Sequence, residues 1–223
     1  MKQRYFFLTG LILLSINLYS LDIWQAIGSG DLEQVKKFIE IAEVDINSYY
    51  GEDGKKSNTL LSCAASLNHY DIVSYLLSKK ANVNTIVEKS RYGRKDGTNT
   101  ALNCAIQIGS YEIVKLLVEN GADIRILTED GFGETQTVLD EAFNLIFKTY
   151  SGELDSNVVN KIKVFKYLIE VNKKIKNPLS NITLKKRESE YFIINDDVQS
   201  LKSLIKKGVF PDVYTIQYAI YAN

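Results

Sequence analysis

The chain has 223 residues, 45% apolar and 24% charged, which excludes wholesale disorder, a collagen-like chain and a polytopic membrane protein. Twenty-seven basic residues balance 27 acidic ones, so no overall field recruits nucleic acid or an anionic membrane. A structural zinc site normally takes four Cys/His ligands, and only Cys63, His69 and Cys104 are available, which also disfavours most His-based catalysis.

Met1 to Ser20 reads as a secretory signal. Lys2 and Arg4 form a short basic region, Tyr5 to Leu14 is apolar apart from Thr9 and Gly10, and the more polar Ser15–Ser20 precedes a cleavage after Ser20. The apolar run reaches at most 17 residues before Asp22, marginal for a bilayer core of about 30 Å. The expected product is therefore secreted or periplasmic, meeting a membrane only in transit. An uncleaved N-terminal anchor is the alternative.

From residue 21 onward the sequence repeats. Asn58-Thr59-Leu60-Leu61-Ser62-Cys63-Ala64-Ala65 aligns with Asn99-Thr100-Ala101-Leu102-Asn103-Cys104-Ala105-Ile106. The segments Tyr70-Asp71-Ile72-Val73 and Tyr111-Glu112-Ile113-Val114 follow in register, and the units close on Ala81-Asn82-Val83-Asn84 and Ala122-Asp123-Ile124-Arg125. An earlier unit runs from Ile23-Trp24-Gln25-Ala26-Ile27 to Asp45-Ile46-Asn47. In the second and third units a Thr is placed to N-cap a short helix with inward Leu and Ala, and in each unit a second helix carries apolar residues at i, i+3, i+4. Gly121 and Gly208 stand where a left-handed residue ends such a helix, and Asn172 can do the same. No unit buries its apolar face alone, so the units must stack.

This pattern resembles the ankyrin repeat, with its T-P-L-H-x-A core and period of about 33 residues. Leu60, Ala101 and Val138 occupy the Pro position. Trp24, Ser62, Asn103 and Asp140 occupy the His position, so the turn bonding that His supplies is expected to be lost and the turns looser. The resemblance implies an all-α solenoid of stacked helix-turn-helix repeats with projecting hairpin loops. The expected repeats are 21–50, 58–87, 99–128, 136–176 with an insertion at 146–159, 186–212, and a half repeat at 213–223. The insertion reads as an extended first helix plus a loop. Of the fingers, Thr85–Thr98 is the longest and carries Lys89, Arg91, Arg94 and Lys95 beside Tyr92.

Candidate chemistry is sparse. Cys63 and Cys104 hold the same place in adjacent units, and stacked helices about 8–10 Å apart exceed the disulfide limit of about 7 Å, so two unpaired buried thiols are expected. Gly51-Glu52-Asp53-Gly54-Lys55-Lys56-Ser57 lacks phosphate-loop spacing and reads as a hairpin finger. Asp140, Glu141, Glu153 and Asp155 read as solvated charge, and His69 as a turn or cap residue. Leu67, Ile108 and Leu145 each lie three residues after an inner Ala; the resemblance places that position on the concave groove, unless the fingers or the insertion cover it.

The expected function is non-enzymatic protein binding through fingers and groove, with Tyr49, Tyr50, Leu67, Arg91, Tyr92, Arg94, Ile108 and Phe132 as contact residues. This step follows from the resemblance. It implies no cofactor, no metal, no nucleic acid and no small-molecule substrate. The alternative is a structural or chaperone-like envelope scaffold held by the uncleaved segment.

Overall fold

Thr59 and Thr100 fix where two helices begin. Each has an extended backbone, and its hydroxyl oxygen accepts the backbone N–H three residues on, that of Ser62 or Asn103. In the computed structural model, which describes residues 23–50, 57–91, 94–129, 135–149 and 156–175, these caps open the first helices of two consecutive repeats.

The N-terminal unit, residues 1–138, contains six helices and three hairpins among its described residues. Helix α1 covers residues 23–29 and α2 Leu32–Glu40. The hairpin of β1 (Tyr49–Tyr50) and β2 (Asn58–Thr59) leads into α3 (Leu60–Ser66) and α4 (Tyr70–Ser78). Strands β3 (Val87–Arg91) and β4 (Arg94–Asn99) lead into α5 (Ala101–Ile108) and α6 (Tyr111–Glu119), and β5 (Thr128–Glu129) and β6 (Thr135–Gln136) follow. All three hairpins are antiparallel. The longest is β3–β4, where the sequence has its longest finger.

Helix α3 packs on α5, and the second helices pack in turn, α2 on α4 and α4 on α6. The seam is lined by Leu60, Leu61, Ala64, Leu102, Ala105 and Ile106 from the first helices and by Val35, Ile72, Val73, Leu76, Ile113, Val114 and Leu117 from the second, all buried. The inner Ala residues Ala64 and Ala105 are fully buried, since a small side chain lets neighbouring backbones approach. Gly121 takes φ +90° just past α6, as its position predicts.

At the starts of α3 and α5 the turns are not loose. Ser62 and Asn103, standing where the resembled pattern has His, restore the bonding. Ser62 Oγ accepts the Thr59 N–H at 2.8 Å, and Asn103 Oδ1 accepts the Thr100 N–H at 3.3 Å and the Thr100 hydroxyl at 2.6 Å. Each completes a capping box, so two otherwise orphaned donors are satisfied reciprocally. Both side chains are fully buried. Asn103 also donates from Nδ2 to Thr128 Oγ1 at 3.4 Å, tying its helix to the next hairpin.

The second unit, residues 139–223, is described from Leu139 to residue 175. It takes most of α7 (Val138–Thr149) and all of α8 (Ser156–Lys174). Phe143 and Phe165 meet with ring centroids 5.6 Å apart, among buried Leu139, Ile146, Leu168 and Ile169. Helix α7 is longer than α3 or α5, and α8 is already helical from Ser156, within the stretch 146–159. Two expectations are corrected. Asn172 does not end a helix: it is buried inside α8, which runs on to Lys174. Glu141 is not solvated charge but buried, because the helical period returns it, three residues after Val138, to the core-facing side. The signal segment, the fifth unit, the half repeat, Gly208, Glu153 and Asp155 lie outside the described residues.

Candidate functional site

Consecutive repeats are joined edge to edge by a row of Asx residues. Asp45, Asn82 and Asp123 each accept, through Oδ1, the backbone N–H two residues on, at 2.9, 3.0 and 2.9 Å. The residue in that next place reaches across to the following repeat. Asn47 Oδ1 accepts the Asn82 N–H at 2.8 Å, and Asn84 Oδ1 accepts the Asp123 N–H at 2.8 Å while its Nδ2 donates to the Gly121 carbonyl at 3.0 Å. In the third repeat the place belongs to Arg125, whose guanidinium turns back to Asp123 at 2.8 and 2.9 Å. That guanidinium holds the Asp123 carboxyl below the ordinary carboxylate range.

These staples set the hairpins side by side. Strand β2 neighbours β3 and β4 neighbours β5, where the Glu129 N–H donates to Thr98 Oγ1 at 2.8 Å. The second helices are linked as well. Glu40 on α2 accepts from the Tyr75 hydroxyl at 3.1 Å and pairs with Lys79 at 2.8 Å, and the Lys79 ammonium sits 5.5 Å from the Tyr75 ring centroid. Burial first, and then the Glu40 carboxylate, push Tyr75 up to about 12. The same Lys79 and Tyr75 contacts hold Glu40 low.

The frame places the expected contact residues as follows. Leu67, the C-cap of α3, and Ile108, the last residue of α5, are 44% and 46% exposed. Leu145 is half-buried in the second unit, which leaves an exposed pair where the sequence suggests three. Tyr49 opens β1 and is 39% exposed, and Tyr50 follows it in the strand. Arg91 and Arg94 are paired backbone positions in the β3–β4 register. Tyr92 and Phe132 lie outside the described residues.

Sequence reasoning missed a second row. Ile86 and Leu127 are 49% and 55% exposed, and each stands where Tyr49 stands in the first repeat. The register fixes the equivalence: Tyr49 pairs with the cap residue Thr59, while Val87–Asn99 and Thr128–Gln136 put Ile86 and Leu127 opposite Thr100 and Thr137. The signal was present as a constant offset of four from Asp45, Asn82 and Asp123.

The residues with chemical potential elsewhere have structural surroundings. Cys63 is half-buried and Cys104 buried, and neither is in a disulfide. Asn99 Nδ2 donates to Cys104 Sγ at 3.2 Å, and burial raises the Cys63 thiol. His69 precedes α4 at the N-cap position, yet its side chain makes no cap bond. Its ring packs instead against Gly30, held at φ +74° in the turn between α1 and α2. Among the described residues no cluster of His, Cys, Asp and Glu could hold a metal ion, and no helix is long and apolar enough to cross a membrane.

The repeat geometry agrees with comparison to known families: the family model for ankyrin repeats matches residues 23–128 in three copies. Residues 23–128 are ankyrin repeats. No curated protein matches the chain. Among solved structures it is similar to the complex of the predatory endopeptidase Bd0816 from Bdellovibrio bacteriovorus with the immunity protein Bd3460. That match has 23% identity and a TM-score of 0.47, and covers 84% of this chain and 81% of the other. A likeness at this level says nothing of what the chain binds. Ankyrin repeats are typically non-enzymatic protein-interaction modules, so the array indicates a protein-binding module.

Proposed function

We propose that the chain is an exported, non-enzymatic recognition module that holds a protein partner on its hairpins and on the helix ends beside them. The observation that carries this reading is the paired exposure of Leu67 and Ile108 at equivalent positions of consecutive repeats. Exposed aliphatic side chains recurring at one repeat spacing on a stapled frame form an apolar surface of the kind partners use. Export rests on the basic and apolar pattern of residues 1–20.

Affinity capture from the native compartment, with wild type beside Leu67→Ser/Ile108→Ser, tests the binding face. The double variant is expected to lose the partner while melting at nearly the wild-type temperature. Equal recovery by both would remove this face from the proposal. N-terminal sequencing of the exported protein tests the segment: a start at Leu21 is expected, and an intact Met1 would favour the anchored scaffold.

A further inference from the structure

Asn120-Gly121 is the chain's one Asn-Gly dipeptide. Such a pair carries a reaction of its own, because glycine has no Cβ to screen its amide nitrogen from the preceding side chain. The Gly121 nitrogen attacks Cγ of Asn120. A C–N bond forms, the Cγ–Nδ2 bond breaks, and ammonia leaves with the proton of the Gly121 amide, giving a succinimide. Water then opens the ring at one carbonyl or the other, to an aspartyl or an isoaspartyl residue. No oxidant or reductant takes part, and water, the one co-reactant, has access because both residues are exposed.

The fold holds the reacting groups in other bonds. Asn120 caps α6 at φ −95° and ψ 16°, and its Nδ2 donates to the Leu116 carbonyl at 2.8 Å. The Gly121 N–H donates to the Val118 carbonyl at 3.0 Å. The Gly121 carbonyl accepts from Asn84 Nδ2 at 3.0 Å, a bond from the preceding repeat. A Cβ built on Gly121 would meet nothing within 4 Å, so hydrogen bonds and not crowding keep this turn in place. Ring closure needs the side chain to leave Leu116, the N–H to leave Val118 and the intervening peptide to rotate, while Asn84 tethers its Gly121 end. Local opening of the last turn of α6 therefore gates the chemistry.

We infer that Asn120–Gly121 is a site of succinimide-mediated deamidation, held in check by the Asn84 staple, and that the modification acts back on the junction of the second and third repeats. An aspartyl side chain has no donor for Leu116 and puts negative charge at the C-terminal end of α6, where the helix dipole opposes it. An isoaspartyl residue adds a methylene to the backbone. That displaces the Gly121 carbonyl from Asn84 and the Ala122 N–H from the Leu117 carbonyl, its acceptor at 3.0 Å. Either product weakens the staple that kept the reaction slow.

The test follows the peptide spanning Asn120 by mass spectrometry while the full chain is held in mildly alkaline buffer, with isoaspartate read by an isoaspartyl methyltransferase assay. Wild type, Asn84→Ala, Asn84→Asp and Asn47→Ala are compared, each shown to be folded by circular dichroism, and wild type in guanidinium chloride gives the rate of the open chain. Asn84→Asp keeps an acceptor for Asp123 but loses the donor to Gly121. Asn47→Ala breaks the staple one repeat earlier and leaves the bonds of Gly121 alone, which separates a local check from a general loss of stability. Folded wild type should react at least tenfold more slowly than the open chain. Both Asn84 variants should react about fivefold faster than wild type, the factor that one hydrogen bond of ordinary net strength contributes to opening. Asn47→Ala should stay within twofold of wild type, and aged wild type should melt below an aged Asn120→Gln control. An Asn120 that survives intact in guanidinium chloride, equal rates in folded and open chains, or equal acceleration by the Asn47 and Asn84 variants would overturn the inference.

Discussion

Asn84 bridges two repeats: its Oδ1 accepts the Asp123 N–H at 2.8 Å and its Nδ2 donates to the Gly121 carbonyl at 3.0 Å. Asn47 makes the first of these bonds to Asn82 one repeat earlier. The array is thus held by side chains acting on the next unit's backbone as well as by its shared core. Asn84→Ala should lower stability by about 1–2 kcal/mol and Asn47→Ala by about 0.5–1.5 kcal/mol. Urea denaturation followed by far-UV circular dichroism measures both. A larger loss at Asn47 would contradict the bond pattern.

The turn chemistry gives a sharper contrast. Asn103→Ala removes a capping box and the link to Thr128 from a fully buried site, and should cost about 1–3 kcal/mol. Asn103→His, which puts the repeat pattern's own residue in place, should lose less than the Ala variant. Thermal melts of the two variants rank them, and the opposite order would show that Asn103 is not the substitute for that His.

Much of this was legible in the sequence, and what was not has a physical reason. Thr59, Thr100, Ala64, Ala105 and Gly121 announce themselves because cap, close packing and left-handed backbone each admit few residue types. Ser62 and Asn103 do not, since their role appears only when the side chain folds back on the preceding Thr. The Asx staple was visible as Asp45–Asn47, Asn82–Asn84 and Asp123–Arg125, but a bond 35 or 39 residues long has no local signature. Glu141 misleads for the converse reason: a charged residue is assigned to water until the helix period places it inward. The Ile86 and Leu127 row escaped because single exposed aliphatic residues in loops are ordinary until register makes them equivalent.

Two glycines should respond differently to Ala. At Gly30 a Cβ would lie 2.9 Å from His69 Cε1, on a backbone already at φ +74°. At Gly121, φ +90°, it would meet nothing within 4 Å. Gly121→Ala should therefore cost only the left-handed backbone penalty, about 1–2 kcal/mol. Gly30→Ala adds displacement of the ring, for about 2–4 kcal/mol. Measured against His69→Ala, Gly30→Ala/His69→Ala should show little of that excess, and denaturation of both single variants and the double checks the cycle.

The Tyr75–Glu40–Lys79 cluster predicts an alkaline signature. Tyr75 is raised from 10.0 to about 12, by burial first and by Glu40 second. A folded-state value above the unfolded one means its contribution is complete below pH 10 and is lost as pH rises through about 12. Carbon-13 NMR of ring-labelled tyrosine should show a late-titrating resonance that is absent in Tyr75→Phe. Glu40→Gln should move it down only part of the way, since burial remains. A full return to 10 would make the ion the dominant cause.

The central claim is that partners meet the array on the face bearing Leu67 and Ile108. Photocross-linking tests it most directly, with benzoyl-phenylalanine placed at position 108 in one full-length protein and at exposed Lys37 on α2 in another, irradiated in the native compartment. The account predicts a discrete protein adduct from position 108, lost when Leu67→Ser is added, and none from position 37. Equal adducts from both positions, or an adduct from position 37 alone, would contradict it.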